Sequence, residues 1–293
     1  MQKKQSKSGI GTAALERNEI QNTYRIIGRT DELAAAIACI HLNKNLLIEG
    51  PVGVGKTVLA LAAARHLGRP FFRVDGDERY SEQKLTGWFD PPIVLAKGYN
   101  HEAFIPGPLT QAMLESGILF INELNRMPEA VQNVLLPSLD ERYLAIPKYG
   151  DIRAKKQFTV IATQNPREFI ATSHLSEALR DRFELIVLDY QPADEEIEIV
   201  RLNLSDGART IDYLIHEAVS IVRATRESPK IRRGASVRAA ISMVELAGQF
   251  NTPDALKKAA RIALPTRIEL ADDIHEDVRD LIDALVENVK KKT

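Results

Sequence analysis

The sequence contains a single cysteine, Cys39, in 293 residues, so no disulfide can form within the chain. A lone cysteine is typical of a reducing compartment and predicts a cytoplasmic location. No apolar run approaches the ~20 residues that a membrane-spanning helix needs. The N-terminal lysines are not followed by the apolar stretch of a secretory signal. We therefore expect a soluble protein with no membrane span.

Neither sign of charge is in clear excess. The chain has 39 Lys and Arg residues and 40 Asp and Glu residues, which gives a net charge of -1. That balance gives no overall attraction to nucleic acid or to anionic lipid. The six histidines lie far apart and have no cysteine partners, a distribution that disfavours a zinc site. The composition instead indicates an ordinary globular protein, with a hydrophobic fraction of 44%.

Short apolar segments alternate with helix-period segments through the first two thirds of the chain. The strand candidates are residues 46–48, 71–74, 118–121, 158–162 and 185–188. Nearly continuous apolar strands that alternate with helices predict a parallel sheet covered by helices on both faces. We predict an α/β core over residues 23–190, preceded by a flexible polar tail over residues 1–22.

The pattern changes at Pro192, after which every periodic segment indicates helix. The clearest, residues 277–289, places five apolar side chains on one face: Val278, Leu281, Ile282, Leu285 and Val289. We predict a smaller all-helical domain over residues 191–293. Within the core, residues 85–104 and 143–158 each place apolar arms around a polar tip. These patterns predict two hairpin insertions that contact another protein. Two solvated loops are the alternative.

The segment after the first predicted strand matches G-x-x-x-x-G-K-[ST], the phosphate-binding loop. Its residues, with the first residue of the following helix, are Gly50, Pro51, Val52, Gly53, Val54, Gly55, Lys56, Thr57 and Val58. Glycines let backbone amides curl around a phosphate at the positive end of a helix. Lys56 is predicted to contact the β- and γ-phosphates of ATP, and Thr57 is predicted to bind Mg²⁺. A strand before the loop and a helix after it argue against a coincidental glycine-rich turn.

The predicted strand at residues 118–121 ends in Asn122 and Glu123. Phosphate-binding-loop ATPases usually end this strand in Asp-Glu, where the Asp supports Mg²⁺ and the Glu polarises the attacking water. Glu123 is therefore a candidate catalytic residue, although a strand-end carboxylate that faces solvent is the alternative. Asn122 can accept a hydrogen bond from a magnesium-bound water, but it contributes no charge. ATP binding is thus predicted more firmly than ATP hydrolysis.

Five motifs in order resemble those of the MoxR family of AAA+ ATPases, and the resemblance covers nearly all of the chain after residue 23. Residues 104–109 are similar to its Gly-Pro element, residues 122–126 to D-E-I-N-R, and residues 162–166 to A-T-Q-N-P. Residues 175–183 resemble L-P-E-A-x-x-D-R-F, and residues 234–238 resemble G-A-S-P-R. Ser176 and Val237 replace the prolines of the last two motifs. The resemblance implies an AAA+ core followed by a helical lid.

The resemblance also implies catalytic roles for three polar side chains. Asn165 would sense the γ-phosphate and the attacking water; an Asx turn before Pro166 is the alternative. Arg182 would be an arginine finger offered to a neighbouring subunit, with Arg180 close enough to be confused with it. Arg238, on a helix that Ser236 could cap, would be a second sensor rather than an ordinary surface arginine.

A further segment, with Ile27 and Gly28, resembles the part of AAA+ proteins that packs on adenine. The apolar side chain suits a flat base, but the start of an ordinary helix has the same pattern. Together with the loop, this segment completes the predicted ATP site.

At the level of function, the resemblance implies a homo-oligomeric ring, by analogy a hexamer, that spends ATP to remodel a protein client. Family members commonly act with a separate partner that carries a von Willebrand factor A domain. A nucleotide-switched scaffold with little hydrolysis is the alternative, because Asn122 replaces the usual Asp. A nucleic-acid motor is a third hypothesis, which the neutral net charge disfavours.

Overall fold

The computed structural model describes residues 8–165, 175–204 and 212–291. The chain divides into two compact units, and the boundary in the second half of the chain falls between Asp189 and Tyr190. Across the described ranges, no helix is both long enough and apolar enough to cross a bilayer.

In its described residues the first unit has nine strands: β1 (Leu46–Glu49), β2 (Phe71–Asp75), β3 (Gly87–Phe89), β4 (Phe104–Pro106), β5 (Ile118–Asn122), β6 (Tyr143–Ile146), β7 (Gly150–Arg153), β8 (Thr159–Gln164) and β9 (Glu184–Val187). Five of them form one sheet in the order β2-β5-β8-β1-β9. Every neighbouring pair in that sheet is parallel. The predicted parallel sheet is therefore confirmed.

The helices of the first unit are α1 (Ser8–Tyr24), α2 (Thr30–His41), α3 (Lys56–His66), α4 (Glu82–Thr86), α5 (Pro91–Lys97), α6 (Pro108–Leu114), α7 (Glu129–Asn133), α8 (Leu135–Asp140) and α9 (Glu177–Arg180). The middle strands β5 and β8 are buried along almost their whole length, since helices cover the sheet. Parallel strands bring their carboxyl ends to one edge of the sheet, and that edge is where the polar residues collect.

The N-terminal residues differ from the prediction of a flexible tail, because α1 begins at Ser8 and packs on α2 and α3. Ile20 is fully buried, and Glu16 lies 3.0 Å from the ring of His41. The sequence of this segment shows no clear apolar period, so the tertiary contacts of the helix, rather than its pattern, stabilise it.

Both predicted insertions are present, with different internal structures. Between α4 and α6 the short strands β3 and β4 pair antiparallel, and α5 lies between them, capped by the Asp90 carboxylate. In the second insertion β6 pairs with β7. The second arm is therefore Gly150–Arg153, whereas the prediction extended it to residue 158, because residue 158 leads into the central strand β8.

The second unit is helical as predicted, with α10 (Ala193–Asn203), α11 (Asp212–Glu227), α12 (Val237–Ala247), α13 (Ala255–Ala263) and α14 (Val278–Lys290). Their apolar faces share one buried core. The unit also holds two short antiparallel strands that the sequence did not predict, β10 (Ile231–Arg233) and β11 (Glu269–Leu270). These strands are too short to show a period of two in the sequence.

Candidate nucleotide-binding site

The loop between β1 and α3 has the backbone of a phosphate-binding loop. Gly53 and Gly55 have φ angles of 80° and 92°, a region that side-chain-bearing residues rarely adopt. A Cβ on Gly55 would meet no atom within 4 Å. Glycine is therefore needed at this position for its φ angle and not for lack of space. The loop ends at the N-terminus of α3, an 11-residue helix. Amides at such a terminus bind anions.

Lys56 and Thr57, the first residues of α3, project polar groups at this loop. The Lys56 ammonium donates hydrogen bonds to the carbonyl oxygens of Gly50 and Pro51, at 2.6 and 2.7 Å. The Thr57 hydroxyl donates to Oδ1 of Asn122 at 3.0 Å. The structure thus brings the predicted lysine and threonine to the end of β5, where the predicted metal-supporting residue lies.

Asn122 is the centre of this polar group. Its Oδ1 accepts a second hydroxyl hydrogen bond, from the buried Thr163 of β8, at 3.0 Å. Its Nδ2 donates to Oδ1 of Asp75 at 3.0 Å. Because a carboxylate can only accept, the amide nitrogen must face Asp75 and the amide oxygen must face Thr57. We call this arrangement, Thr57–Asn122–Asp75, the amide bridge.

Asp75 is a site residue that the sequence analysis missed. It ends β2 and is the register partner of Asn122 on β5. Arg73 donates to both of its carboxylate oxygens, at 2.7 and 3.0 Å. These hydrogen bonds, and then the one from Asn122, hold the pKa of the Asp75 carboxyl below its ordinary value. The usable signal was a polar residue directly after a predicted strand.

Glu123, the predicted catalytic carboxylate, lies just beyond the end of β5. Its backbone is left-handed, with φ 57°, which is uncommon for a residue other than glycine and is found at functional sites. Its amide donates to the Thr163 hydroxyl at 3.0 Å. Its carboxylate forms an ion pair with Arg126 at 2.9 Å. The Glu123 side chain therefore lies at the end of β5, where its carboxylate is paired with the Arg126 guanidinium.

Asn165, the predicted sensor, follows the last residue of β8 and is 5% exposed. Its carbonyl oxygen accepts a hydrogen bond from Nδ2 of the buried Asn125. Pro166, the partner in the alternative Asx-turn interpretation, lies outside the described residues. The structure thus places Asn165 at the same sheet edge as Lys56 and Asn122.

The groups at this edge fit a magnesium–nucleotide complex. A helix N-terminus, the Lys56 ammonium and the Thr57 hydroxyl are the donors that bind a triphosphate and its metal. Hydroxyl and amide oxygens, here those of Thr57 and Asn122, suit the hard Mg²⁺ ion. The donor set therefore agrees with the predicted cofactors, ATP and Mg²⁺.

The two arginines at the C-terminal end of α9, Arg180 and Arg182, are in different environments. Arg182 donates to the Ala178 carbonyl at 2.8 Å and to the Asp140 carboxylate at 2.9 Å. Asp140 raises the pKa of the Arg182 guanidinium. Arg180, in the last turn of α9, is exposed. Neither arginine is part of the cluster around Asn122.

The remaining predicted residues belong to other elements than the sheet. Ile27 and Gly28 form the connection between α1 and α2, where the Gly28 carbonyl accepts from the Gln21 amide at 2.6 Å. Arg238 is exposed in the first turn of α12, in the second unit. Ser236 is the N-cap residue of that helix, but its side chain makes no capping hydrogen bond.

Comparisons with known proteins agree with this geometry. A family model of the AAA domain, dynein-related subfamily, matches residues 45–183. Gas vesicle ATPase GvpN1 of Halobacterium salinarum is 30% identical over 257 residues, which are 80% of this chain and 72% of that protein. An uncharacterized protein of Staphylococcus epidermidis is 32% identical over 232 residues, 78% of this chain and 87% of that protein.

Two solved structures share the fold. A protein from Cytophaga hutchinsonii has a TM-score of 0.51 and 23% identity, with 96% of this chain and 97% of that chain covered. A mutant of Thermotoga maritima RuvB has a TM-score of 0.52 and 20% identity, with 81% of this chain and 71% of that chain covered.

Proposed function

Because the chain belongs to the AAA+ ATPase family, we propose that it hydrolyses ATP in a ring of identical subunits to remodel a partner protein. The observation that supports this proposal is the convergence of Lys56, Thr57, Asn122, Glu123 and Asn165 on one sheet edge. Each has a polar group of the type that phosphoryl transfer to water requires. ATPase activity is what the family and the names of its gas vesicle relatives support.

Each side chain has a defined task in this proposal. Lys56 would leave the loop carbonyls and neutralise the β- and γ-phosphates. Thr57 and Asn122 would hold Mg²⁺, which would supply further charge neutralisation. Glu123 exchanges its ion pair with Arg126 for the attacking water, which it orients and from which it accepts a proton. Asn165 holds that water and a γ-phosphate oxygen by hydrogen bonds.

An arginine finger requires a neighbouring subunit, which gives a direct test of the ring. We assign this role to Arg182, whose bonds to Ala178 and Asp140 would be exchanged for the neighbour's γ-phosphate. Glu123→Gln and Arg182→Ala proteins should each lose ATP turnover by about 100-fold or more. Mixed together they should regain turnover, because a subunit with intact Glu123 then receives Arg182 from its neighbour.

Arg180→Ala is the matched control, since Arg180 is also a cation close to α9 but is exposed. Turnover of the Arg180→Ala protein should stay near that of the wild type. If Arg182→Ala keeps turnover, and Arg180→Ala loses it but regains it when mixed with Glu123→Gln, Arg180 is the finger. If both single arginine variants remain active, the proposal that a neighbouring subunit supplies an arginine finger is wrong.

The finer assignments rest on the resemblance to MoxR proteins. We propose a hexameric ring, a protein client and a separate partner with a von Willebrand factor A domain. We further propose a role for Arg238 as second sensor, for Ile27 and Gly28 in packing on adenine, and a cytoplasmic location, which the lone cysteine supports. The boundaries of the core at 190 and of the lid at 191 remain predictions.

Co-purification of a partner with the Glu123→Gln protein, which should hold ATP unhydrolysed, would test the partner assignment.

A nucleotide-switched scaffold is the second candidate, and Asn122 is the observation that favours it. A neutral amide contributes less to holding Mg²⁺ than a carboxylate does. A protein that binds ATP with Mg²⁺ and shows no turnover under any nucleotide concentration would establish the scaffold instead of the motor.

A further inference from the structure

The strand-end position next to the phosphate-binding loop has no charge of its own, since Asn122 carries an amide. A carboxylate is nevertheless adjacent, because Asp75 ends the neighbouring strand β2 in register with Asn122. The Asn122 Nδ2 lies 3.0 Å from the Asp75 Oδ1. The amide oxygen lies 3.0 Å from the hydroxyl of Thr57, the residue predicted to bind the metal.

We propose that Asp75 supplies, through the amide bridge, the negative charge that the magnesium site lacks at position 122. The inference rests on the proposed binding of ATP and Mg²⁺ by this site. Asp75 is a positioning residue in this scheme: it contacts Asn122, and Asn122 would support the bound metal through a water ligand.

The direction of the hydrogen bonds gives the mechanism. A carboxylate that accepts from Nδ2 fixes the amide so that Oδ1 points at Thr57. It also polarises the amide, which places more negative charge on Oδ1. Carboxylates that bond to a metal's ligands from behind act in this way in other metal sites, where they orient the ligand and raise its basicity.

The backbone holds the two strand ends together independently of these side chains. The Gly76 amide donates to the Asn122 carbonyl at 2.7 Å, which extends the pairing one residue past β2. A Cβ on Gly76 would lie 2.1 Å from the Glu123 carbonyl oxygen, so only glycine permits this approach. The backbone therefore holds Asp75 beside Asn122, so their contact does not depend on the reach of a flexible side chain.

The alternative is that Asp75 forms only a surface ion pair with Arg73, and both side chains are about half exposed. An exposed ion pair contributes little to stability and has no effect on a metal. The two interpretations make different predictions for binding of Mg²⁺, which can be measured without hydrolysis.

The test uses the full chain and a fluorescent, non-hydrolysable ATP analogue, whose affinity is titrated against Mg²⁺ and measured in EDTA. Asp75→Asn should raise the half-saturating Mg²⁺ concentration by about 10-fold or more, as loss of such supporting carboxylates does. The affinity measured in EDTA should not weaken. The matched control is Asp77→Asn, which removes one charge two residues away and keeps an oxygen for the Arg79 amide; it should stay within about twofold.

The charge-exchanged variant, Asp75→Asn with Asn122→Asp, should return the Mg²⁺ requirement to within about threefold of the wild type. Arg73→Gln leaves Asp75 in place and removes the competing cation, so it should lower the requirement by about two- to fivefold. Equal effects of Asp75→Asn and Asp77→Asn, or no rescue by the exchange in folded protein, would overturn the inference. Normal Mg²⁺ dependence in a wild type without turnover would refute the proposed hydrolysis and leave this inference standing.

Discussion

Replacing Asn122 with the aspartate that related ATPases carry should destabilise this protein in the absence of Mg²⁺. The substitution keeps an acceptor for the Thr57 and Thr163 hydroxyls. It replaces the Nδ2 donor, 3.0 Å from the Asp75 carboxylate, with a second anionic oxygen. Two carboxylates then face each other without a proton between them.

The size of the effect follows from the distance and the solvent. Two unit charges about 4 Å apart repel by about 1 kcal/mol in water and by about 4 kcal/mol at an effective dielectric of 20. Asn122 is half-buried and Asp75 is exposed, so Asn122→Asp should lower the free energy of unfolding by an amount between these limits. The same geometry argues that Asn122→Asp alone does not improve hydrolysis.

The pH dependence has a defined sign. Repulsion raises the pKa of one carboxyl of the pair in the folded state above its unfolded value of about 4. The destabilisation is therefore fully developed at neutral pH and is lost on acidification through the raised pKa, because protonation of one carboxyl ends the repulsion. Adding Asp75→Asn should remove the destabilisation at neutral pH, because one charge and one amide again share the bridge.

Urea unfolding followed by tryptophan fluorescence measures the effect, since the single tryptophan, Trp88, lies in the first unit. The experiment compares wild type, both single variants and the double variant in EDTA at neutral pH and near pH 4. An Asn122→Asp protein as stable as the wild type at neutral pH would refute the reasoning. So would a destabilisation that Asp75→Asn leaves unchanged.

Two further substitutions test the packing of each unit. Gly76→Ala should lower the free energy of unfolding of the first unit by about 1–3 kcal/mol, because the added Cβ would lie 2.1 Å from the Glu123 carbonyl oxygen. Urea titrations measure the change. Gly248→Ala is the control, because the atoms nearest to its Cβ lie at 3.5 Å. Glu196→Ala should lower the free energy of unfolding of the second unit by about 3 kcal/mol, since it removes the carboxylate 2.8 Å from the largely buried Arg226 guanidinium. Unfolding is followed by far-UV circular dichroism. An unchanged unfolding transition would show that the ion pair is dispensable.

The local parts of the site were predictable from sequence because their chemistry is contiguous. The loop from Gly50 to Thr57 combines its glycines, lysine and hydroxyl in one segment, and a strand and a helix flank it as expected. Glu123 and Asn165 each follow a buried apolar strand, so their position at the sheet edge followed from the strand assignment. The parallel sheet itself was recognisable from its continuous apolar segments.

The parts that depend on pairing between segments were not predictable. Asp75 also follows a predicted strand, but its contact with Asn122 arises from the register of β2 against β5, which no local pattern encodes. The ion pair between Arg182 and Asp140 joins residues far apart in sequence, and so does the contact of Glu16 with His41 that helps to fix α1. The two short strands of the second unit likewise depend on each other rather than on their own periodicity.

Steady-state ATP turnover of the wild-type protein, with and without Mg²⁺ and beside Glu123→Gln, tests the central claim most directly. We expect turnover that requires Mg²⁺ and falls by about 100-fold or more in Glu123→Gln, while nucleotide binding is retained. A wild type that binds ATP and Mg²⁺ but turns over no faster than Glu123→Gln would contradict the claim that this chain is an ATP-driven machine.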